Sequence, residues 1–227
     1  MNQLSIIIPT LNEAEGVVEL LKELQWIRAA GHELIVVDGG SKDGTSDLAS
    51  AWVDHLAIST PGRAIQLNLG AKVARHDILL FLHADTRISQ EAIEASLNHC
   101  YREQAWGRFD VRLSGRQRRF RVVERAMNMR SRLTGIATGD QAMFIRRELF
   151  EQIGGFPEIP IMEDIALSKR LNEISKPVCL WQQVETSSRR WEEAGTIKTI
   201  ALMWFLRLAF MLGAEPGRLA ARYEDIR

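Results

Sequence analysis

Cysteine is almost missing from this chain of 227 residues: Cys100 and Cys179 are the only two, and they stand far apart. A disulfide framework is thereby excluded, and His99 directly beside Cys100 lacks the spacing of a zinc-binding pair. A reducing, cytoplasmic setting is the expectation that follows. Net charge is missing too, since 29 basic side chains balance 29 acidic ones. Without a positive excess the molecule has no long-range pull on nucleic acid, and any basic function must be local. No apolar run is long enough to cross a bilayer, which takes about 20 residues. The nearest candidate, Ile197 to Leu212, is interrupted by Lys198 and Arg207. Met1 to Gln3 carry no basic cluster and lead into Leu4 to Ile8, which reads as a first strand and not as an export signal. Repeats, low-complexity tracts and Pro/Gly/Ser linkers are also lacking, so residues 1–227 are expected to form a single domain.

What is present is a hydrophobic content of 46%, enough for one sizeable core. Short apolar runs alternate with helical patterns. Leu4 to Ile8 is followed by a helix with Val17, Leu20, Leu21, Leu24 and Ile27 on one face, then by Leu34 to Val37. Asn12, three residues before Glu15, is the expected cap of that helix. A helix around Leu48 to Val53, a strand at Leu56 to Ser59, a helix from Ala64 to Ala74 and the apolar strand Ile78 to Leu82 complete four strands and three helices. That is a Rossmann-like half, in which ligands bind at the carboxyl ends of the strands. Beyond it, the spacing predicts a strand through Phe109, Val111 and Leu113, an Arg-rich helix reaching Leu133, a strand at Ala142 to Ile145, and helices at Glu148 to Ile153 and Asp164 to Ile174.

Three acidic sites end or follow apolar segments. Asp38 opens a turn with Gly39, Gly40 and Gly44, where missing side chains let backbone approach a ligand, although Asp and Gly also build ordinary turns. Asp85 follows the strand Ile78 to Leu82. If the strand continues, His83 shares its face and both could meet a divalent cation; the alternative is that His83 packs in the core and Asp85 caps a nearby helix. Glu163 and Asp164 begin a helix, where the helix dipole alone would favour acids, but a carboxylate there can also accept the proton of an attacking hydroxyl.

The segments IIIPTLNE, VVDGGSKDGT, RAIQLNLGA, LLFLHADT, TGDQAMFIRRELFEQIGGFP and MEDIALSKRL, in this order, resemble glycosyltransferase family 2. Within it, the set is most similar to the radical-SAM/selenodomain-associated subgroup linked with arsenosugar biosynthesis. The resemblance implies a GT-A type α/β fold: a Rossmann-like nucleotide-binding half over 1–85, an acceptor-side half over 86–190, a C-terminal helical segment over 191–227, and a mixed central sheet flanked by helices. It implies an inverting transferase that moves a sugar from a nucleotide-diphosphate donor, a UDP-sugar by preference, to a small-molecule or lipid-linked acceptor hydroxyl. Pro9, Thr10, Asn12, Glu13, Asp38, Gly39, Gly40 and Arg63 would then line the nucleotide. His83, Ala84 and Asp85 match the DXD motif that holds a divalent cation (Mn or Mg) and the donor diphosphate. Glu163-Asp164 matches the ED motif, with Asp164 as the base. Gly139, Asp140 and Gln141 match a segment beside acceptor and donor sugar, and Arg190-Trp191 the Arg-Trp element that follows the ED motif in some members. Two departures stand out: Gly39 replaces a second acid, which leaves uracil and guanine recognition both open, and His83 replaces the first acid of DXD, with an imidazole that suits manganese better than magnesium.

Seven arginines and a single acid, Glu124, lie between Arg116 and Arg132, interleaved with Phe120, Val123 and Met127. This basic amphipathic helix fits an anionic acceptor, a phosphate or an acidic membrane surface, or else a solvated face over a core stripe. The apolar stretch from Ile197 is expected to be a packed terminal helix, with peripheral contact at the inner face of the membrane or a homodimer as its alternatives. Nucleotidylyl transfer, or a non-catalytic nucleotide-sugar-binding role, are the competing functions. Against the former, PTLNEAEG has no basic residue to form a phosphate loop.

Overall fold

A computed structural model describes residues 3–100, 106–193 and 195–224. The chain runs through β1 (Ser5–Thr10), α1 (Ala14–Glu23), α2 (Gln25–Ala29), β2 (Glu33–Asp38), α3 (Thr45–Ser50), β3 (His55–Ile58), α4 (Arg63–Val73) and β4 (Ile78–Phe81). It continues through β5 (Thr86–Ile88), α5 (Gln90–Cys100), β6 (Trp106–Leu113), α6 (Arg118–Thr134), β7 (Met143–Arg146), α7 (Arg147–Gln152), α8 (Glu163–Ile174) and β8 (Val178–Thr186). Helices α9 (Arg189–Glu193), α10 (Thr196–Met211) and α11 (Pro216–Glu224) follow.

The strands form one mixed sheet in the order β3-β2-β1-β4-β7-β6-β8-β5. β3, β2, β1 and β4 are parallel. β7 runs against both β4 and β6, β8 lies parallel to β6, and β5 runs against β8. This is the α/β architecture with a Rossmann-like half that the apolar runs predict. The middle residues of β1, β2 and β4 are apolar on both sides because both faces are covered and side chains alternate between them. Ile6, Ile8, Leu34, Val36, Ile78 and Leu80 join one core with Val17, Leu21 and Ile93; Ile7, Ile35, Val37, Leu79 and Phe81 join the other with Leu67, Leu149 and Leu167. Gly70 sets how closely α4 lies on the second face, because a Cβ there would fall 2.3 Å from Ile7 Cγ2.

Two local expectations are corrected. The first helix is broken at Leu24 into α1 and α2. Asn12 is not its cap: it takes φ 56°, and its Oδ1 accepts the Lys42 N–H at 3.0 Å. The start of α1 is bonded instead from the next loop, with Asp43 Oδ2 accepting the Ala14 N–H and Thr45 Oγ1 the Glu13 N–H.

The basic helix α6 covers an edge. Among the described residues of β6, β7 pairs with Trp106–Arg108, which leaves the rest of β6 open on that side. Glu124 Oε1 accepts the Leu113 N–H, while Asn128 accepts the Val111 N–H and donates to its carbonyl, so α6 takes the place of the missing strand. Phe120, Val123 and Met127 pack on Val111 and Leu113 as the predicted core stripe. Helix α10 packs through Leu206 against Met162 and Ile165, but it leaves Ile197, Trp204, Leu208 and Met211 exposed. Among the described residues no helix is long and apolar enough to cross a membrane.

Candidate active site

The carboxyl ends of β1, β2 and β4 lie on the same edge of the sheet, and the loops that leave them are tied together. Asp38 is buried, and its carboxylate shapes the second of these loops. Oδ2 accepts the Gly40 and Ser41 N–H groups at 3.0 and 2.8 Å, and Oδ1 accepts the Thr10 and Ser41 hydroxyls. Gln66, reaching from α4, donates to the carbonyls of Thr10 and Val37, both at 2.8 Å. It also explains Gly39, where an added Cβ would sit 3.2 Å from the Gln66 amide. Gln66 fixes this rim and is missed by sequence reasoning, since a lone glutamine within a helix gives no signal.

β4 ends at Phe81, so the condition that would put His83 and Asp85 on one strand face fails: Ala84 and Asp85 form a turn before β5. The reason is Thr86, whose N–H bonds the His83 carbonyl at 3.1 Å and whose segment pairs with β8. Asp85 caps no helix either. It is exposed, and among the described residues its Oδ1 alone is bonded, at 3.3 and 3.4 Å, to the hydroxyls of Thr86 and Thr186. His83 instead lines a pocket with Arg63, Leu67, Phe81, Gly139, Met143, Phe156, Glu163 and Asp164. Burial, and then the charge of Arg63, push its imidazole down to about 3, so the ring is neutral at ordinary pH.

Antiparallel pairing of Met143 with Phe81 brings the 3-10 turn Gly139–Gln141 to the end of β4. Gly139 has no room for a side chain, because a Cβ would lie 2.3 Å from His83 Nε2. Its N–H donates to Asp164 Oδ2 at 2.8 Å, and the Ile165 N–H donates to Oδ1. Arg63 pairs with the buried Glu163 at 3.2 Å. Burial, then the adjacent Asp164, push the Glu163 carboxyl up to about 6, with Arg63 opposing. Gly154 and Gly155, both at positive φ, turn the chain so that Phe156 packs on Phe81, and Asn68 bonds the Phe156 backbone in both directions. The described non-glycine residues with positive φ are Asn12, Ala142 and Met162, and each adjoins one of these loops. Such strained backbone collects at functional sites.

The pocket thus brings together Arg63, His83, Gly139, Glu163 and Asp164. Asp140 and Gln141 adjoin it: Asp140 accepts the Thr138 hydroxyl, and buried Gln141 bonds Thr138 and Asn128. Pro9, Thr10, Asn12, Glu13, Asp38, Gly39 and Gly40 form the neighbouring rim. Trp191 packs against the cluster under α6, and the side chain of Arg190 lies outside the described residues. For a divalent cation the site fits one binding mode. Among the described residues no three His, Cys, Asp or Glu side chains converge, but exposed Asp85 has one carboxylate oxygen unbonded, as suits a cation that takes its remaining ligands from a diphosphate.

A parallel nucleotide-type half extended by antiparallel strands, with carboxylates on the loops at the parallel edge, is the architecture of GT-A glycosyltransferases, and solved structures agree. The mannosyltransferase PcManGT from Pyrobaculum calidifontis, in complex with GDP-Man and Mn2+, superposes with a TM-score of 0.62 at 23% identity, over 80% of this chain and 56% of that one. Glucosyl-3-phosphoglycerate synthase from Mycobacterium tuberculosis, in complex with Mn2+, UDP and phosphoglyceric acid, does so at 0.64 and 17%, over 94% and 79%. The chain belongs to glycosyl transferase family 2, whose model matches residues 5–154. It is 31% identical over 117 residues to 4,4'-diaponeurosporenoate glycosyltransferase of Staphylococcus haemolyticus, which covers 48% of this chain and 31% of the relative. The chain spans about a third of the length of the curated relatives it matches.

Proposed function

We propose that the protein transfers a sugar from a nucleotide-diphosphate donor to an acceptor hydroxyl with inversion at the anomeric carbon. The observation that carries this reading is the position of Asp164: half-buried in the pocket at the sheet edge, oriented by the Gly139 and Ile165 N–H groups, and beside Arg63 and His83. The Asp164 carboxylate takes the proton of the acceptor hydroxyl as its oxygen bonds to the anomeric carbon. The bond from that carbon to the diphosphate breaks, and the nucleoside diphosphate leaves with the electron pair. The rim from Pro9 to Glu13 and from Asp38 to Gly40 receives the nucleotide, with Arg63 at its phosphate side. Asp85 would hold a divalent cation, which would neutralise charge on the diphosphate, and the neutral His83 imidazole stands in the adjoining pocket. Residues 1–85 carry the donor and 86–190 the acceptor side. The donor preferred is a UDP-sugar, and the motif set supports a place in the radical-SAM/selenodomain-associated subgroup.

Asp164→Asn tests the reading. Removing a general base lowers turnover by about 10²–10⁴, while calorimetric binding of UDP with manganese stays as in the wild type. Turnover at the wild-type rate would eliminate Asp164 as the base. Loss of nucleotide binding would instead give it a structural role.

A further inference from the structure

Next to the pocket are two arginines with shielded donors that nothing among the described residues accepts from. Nε and Nη2 of Arg130, on α6, and Nε of Arg207, on α10, are shielded from solvent and make no hydrogen bond. Their neighbours show how the fold treats the arginines it uses. Arg121 donates to the carbonyls of Leu113 and Gly115, and Arg132 to Asp110 and the Cys179 carbonyl. Arg121 keeps only its Nε unbonded, whereas Arg130 has both Nε and Nη2 shielded and unbonded among the described residues. Arg130 and Arg207 are both near the pocket: Arg207 follows Leu206, which packs on Met162 and Ile165 at the start of α8, and Arg130 is toward the C-terminal end of α6, ahead of the Gly139 turn.

The nearby acids do not satisfy them. Asp140 and Asp164 act on Arg130 through their charge, yet Asp164 is bonded to the Gly139 and Ile165 N–H groups and Asp140 to the Thr138 hydroxyl. Burial, and then the like charge of Arg207, push the Arg130 guanidinium down to about 10. Both residues are half-buried, and two guanidinium groups that feel each other's charge while keeping shielded donors unused are unfavourable unless something accepts from both. A phosphate or carboxylate does so, since its several oxygens match the guanidinium fork and its charge offsets the pair.

We infer that Arg130 and Arg207 form an anion-binding subsite on the acceptor side, which seats a phosphate or carboxylate group of the acceptor next to Asp164. The word acceptor rests on the sugar-transfer reading; the anion site itself does not. The carrier is either a soluble phosphate ester or a lipid with a phosphate headgroup.

The test uses the full chain, Arg130→Gln and Arg207→Gln, with glycerol 3-phosphate followed by calorimetry at constant ionic strength and phosphatidic acid in phosphatidylcholine vesicles followed by sedimentation. The wild type binds one of the two probes, and each variant binds it about tenfold more weakly or worse. Loss in the soluble arm alone identifies a soluble ester, and loss in the vesicle arm alone a lipid. Because two shielded donors of Arg130 are unbonded, ligand-free Arg130→Gln melts at or above the wild-type temperature. The inference is overturned if the variants bind both probes as the wild type does, if the wild type binds neither, or if Arg130→Gln melts well below it. UDP and manganese binding, measured in parallel, separates the two readings. It survives in both variants, and its absence from a wild type that still binds phosphate would remove sugar transfer and leave the anion site.

Discussion

A carboxyl group kept out of water beside a second carboxylate resists ionisation, and Glu163 is in that position. Its carboxyl rises from 4.5 to about 6. A carboxyl whose folded pKa lies above the unfolded one gives stability that is fully present below pH 4.5 and lost as the pH rises through 6, by about 2 kcal/mol. Urea denaturation should therefore show Glu163→Gln with a smaller stability difference between pH 4.5 and pH 7 than the wild type. An identical pH dependence in the two proteins would show that Glu163 titrates as it does when unfolded. Glu33 acts with the opposite sign. Burial alone would raise its carboxyl, but hydrogen bonds from Ser5 and Arg75 and the Arg75 charge outweigh it, so its contribution is lost as pH falls. At this scale the Glu163-Asp164 dipeptide is legible in the sequence as acids at a helix start. The Gly139 N–H that orients Asp164 comes from 25 residues away, and no local pattern announces it.

Helices and strands differ in how much of their reason for existing is local. β1, β2, β4 and α4 are legible because unbroken apolar runs and a helical stripe are properties of the segments themselves. α5 is not: it buries Ala92, Ile93, Ser96, Leu97 and Cys100, a face made mostly of small residues. β5 has three residues, and β8 alternates imperfectly and owes its place to pairing with β6 and β5. The polar side chains of α6 read as an anion-binding or a solvated face, whereas Glu124 and Asn128 are bonded to the edge of β6. The contact of α4 with β1 gives a prediction at this scale. Gly70→Ala places a methyl group 2.3 Å from Ile7 Cγ2 in a close-packed interface, so β1 and α4 must separate. Overpacking of this kind costs about 1–3 kcal/mol, which for a chain of this size lowers the melting temperature by roughly 2–4 °C per kcal/mol. Thermal unfolding followed by circular dichroism measures it, and an unchanged midpoint would mean that the interface has slack.

For the molecule as a whole, balanced charge leaves binding to local geometry, and that geometry depends on contacts of very different reach along the chain. The parallel strands β1 to β4 come from the first 81 residues. Asp85, however, is bonded by the hydroxyls of Thr86 and Thr186, which meet each other across 100 residues of sequence. Closing so long a loop is entropically costly, and pairings of high sequence separation form late. On refolding from urea, strand and helix signal should return before the chain regains the capacity to bind UDP with manganese. Recovery of both in a single phase would contradict this order. A newly made chain would then pass through an interval in which it is largely folded yet inert, and competence would arrive only when the last strand is seated.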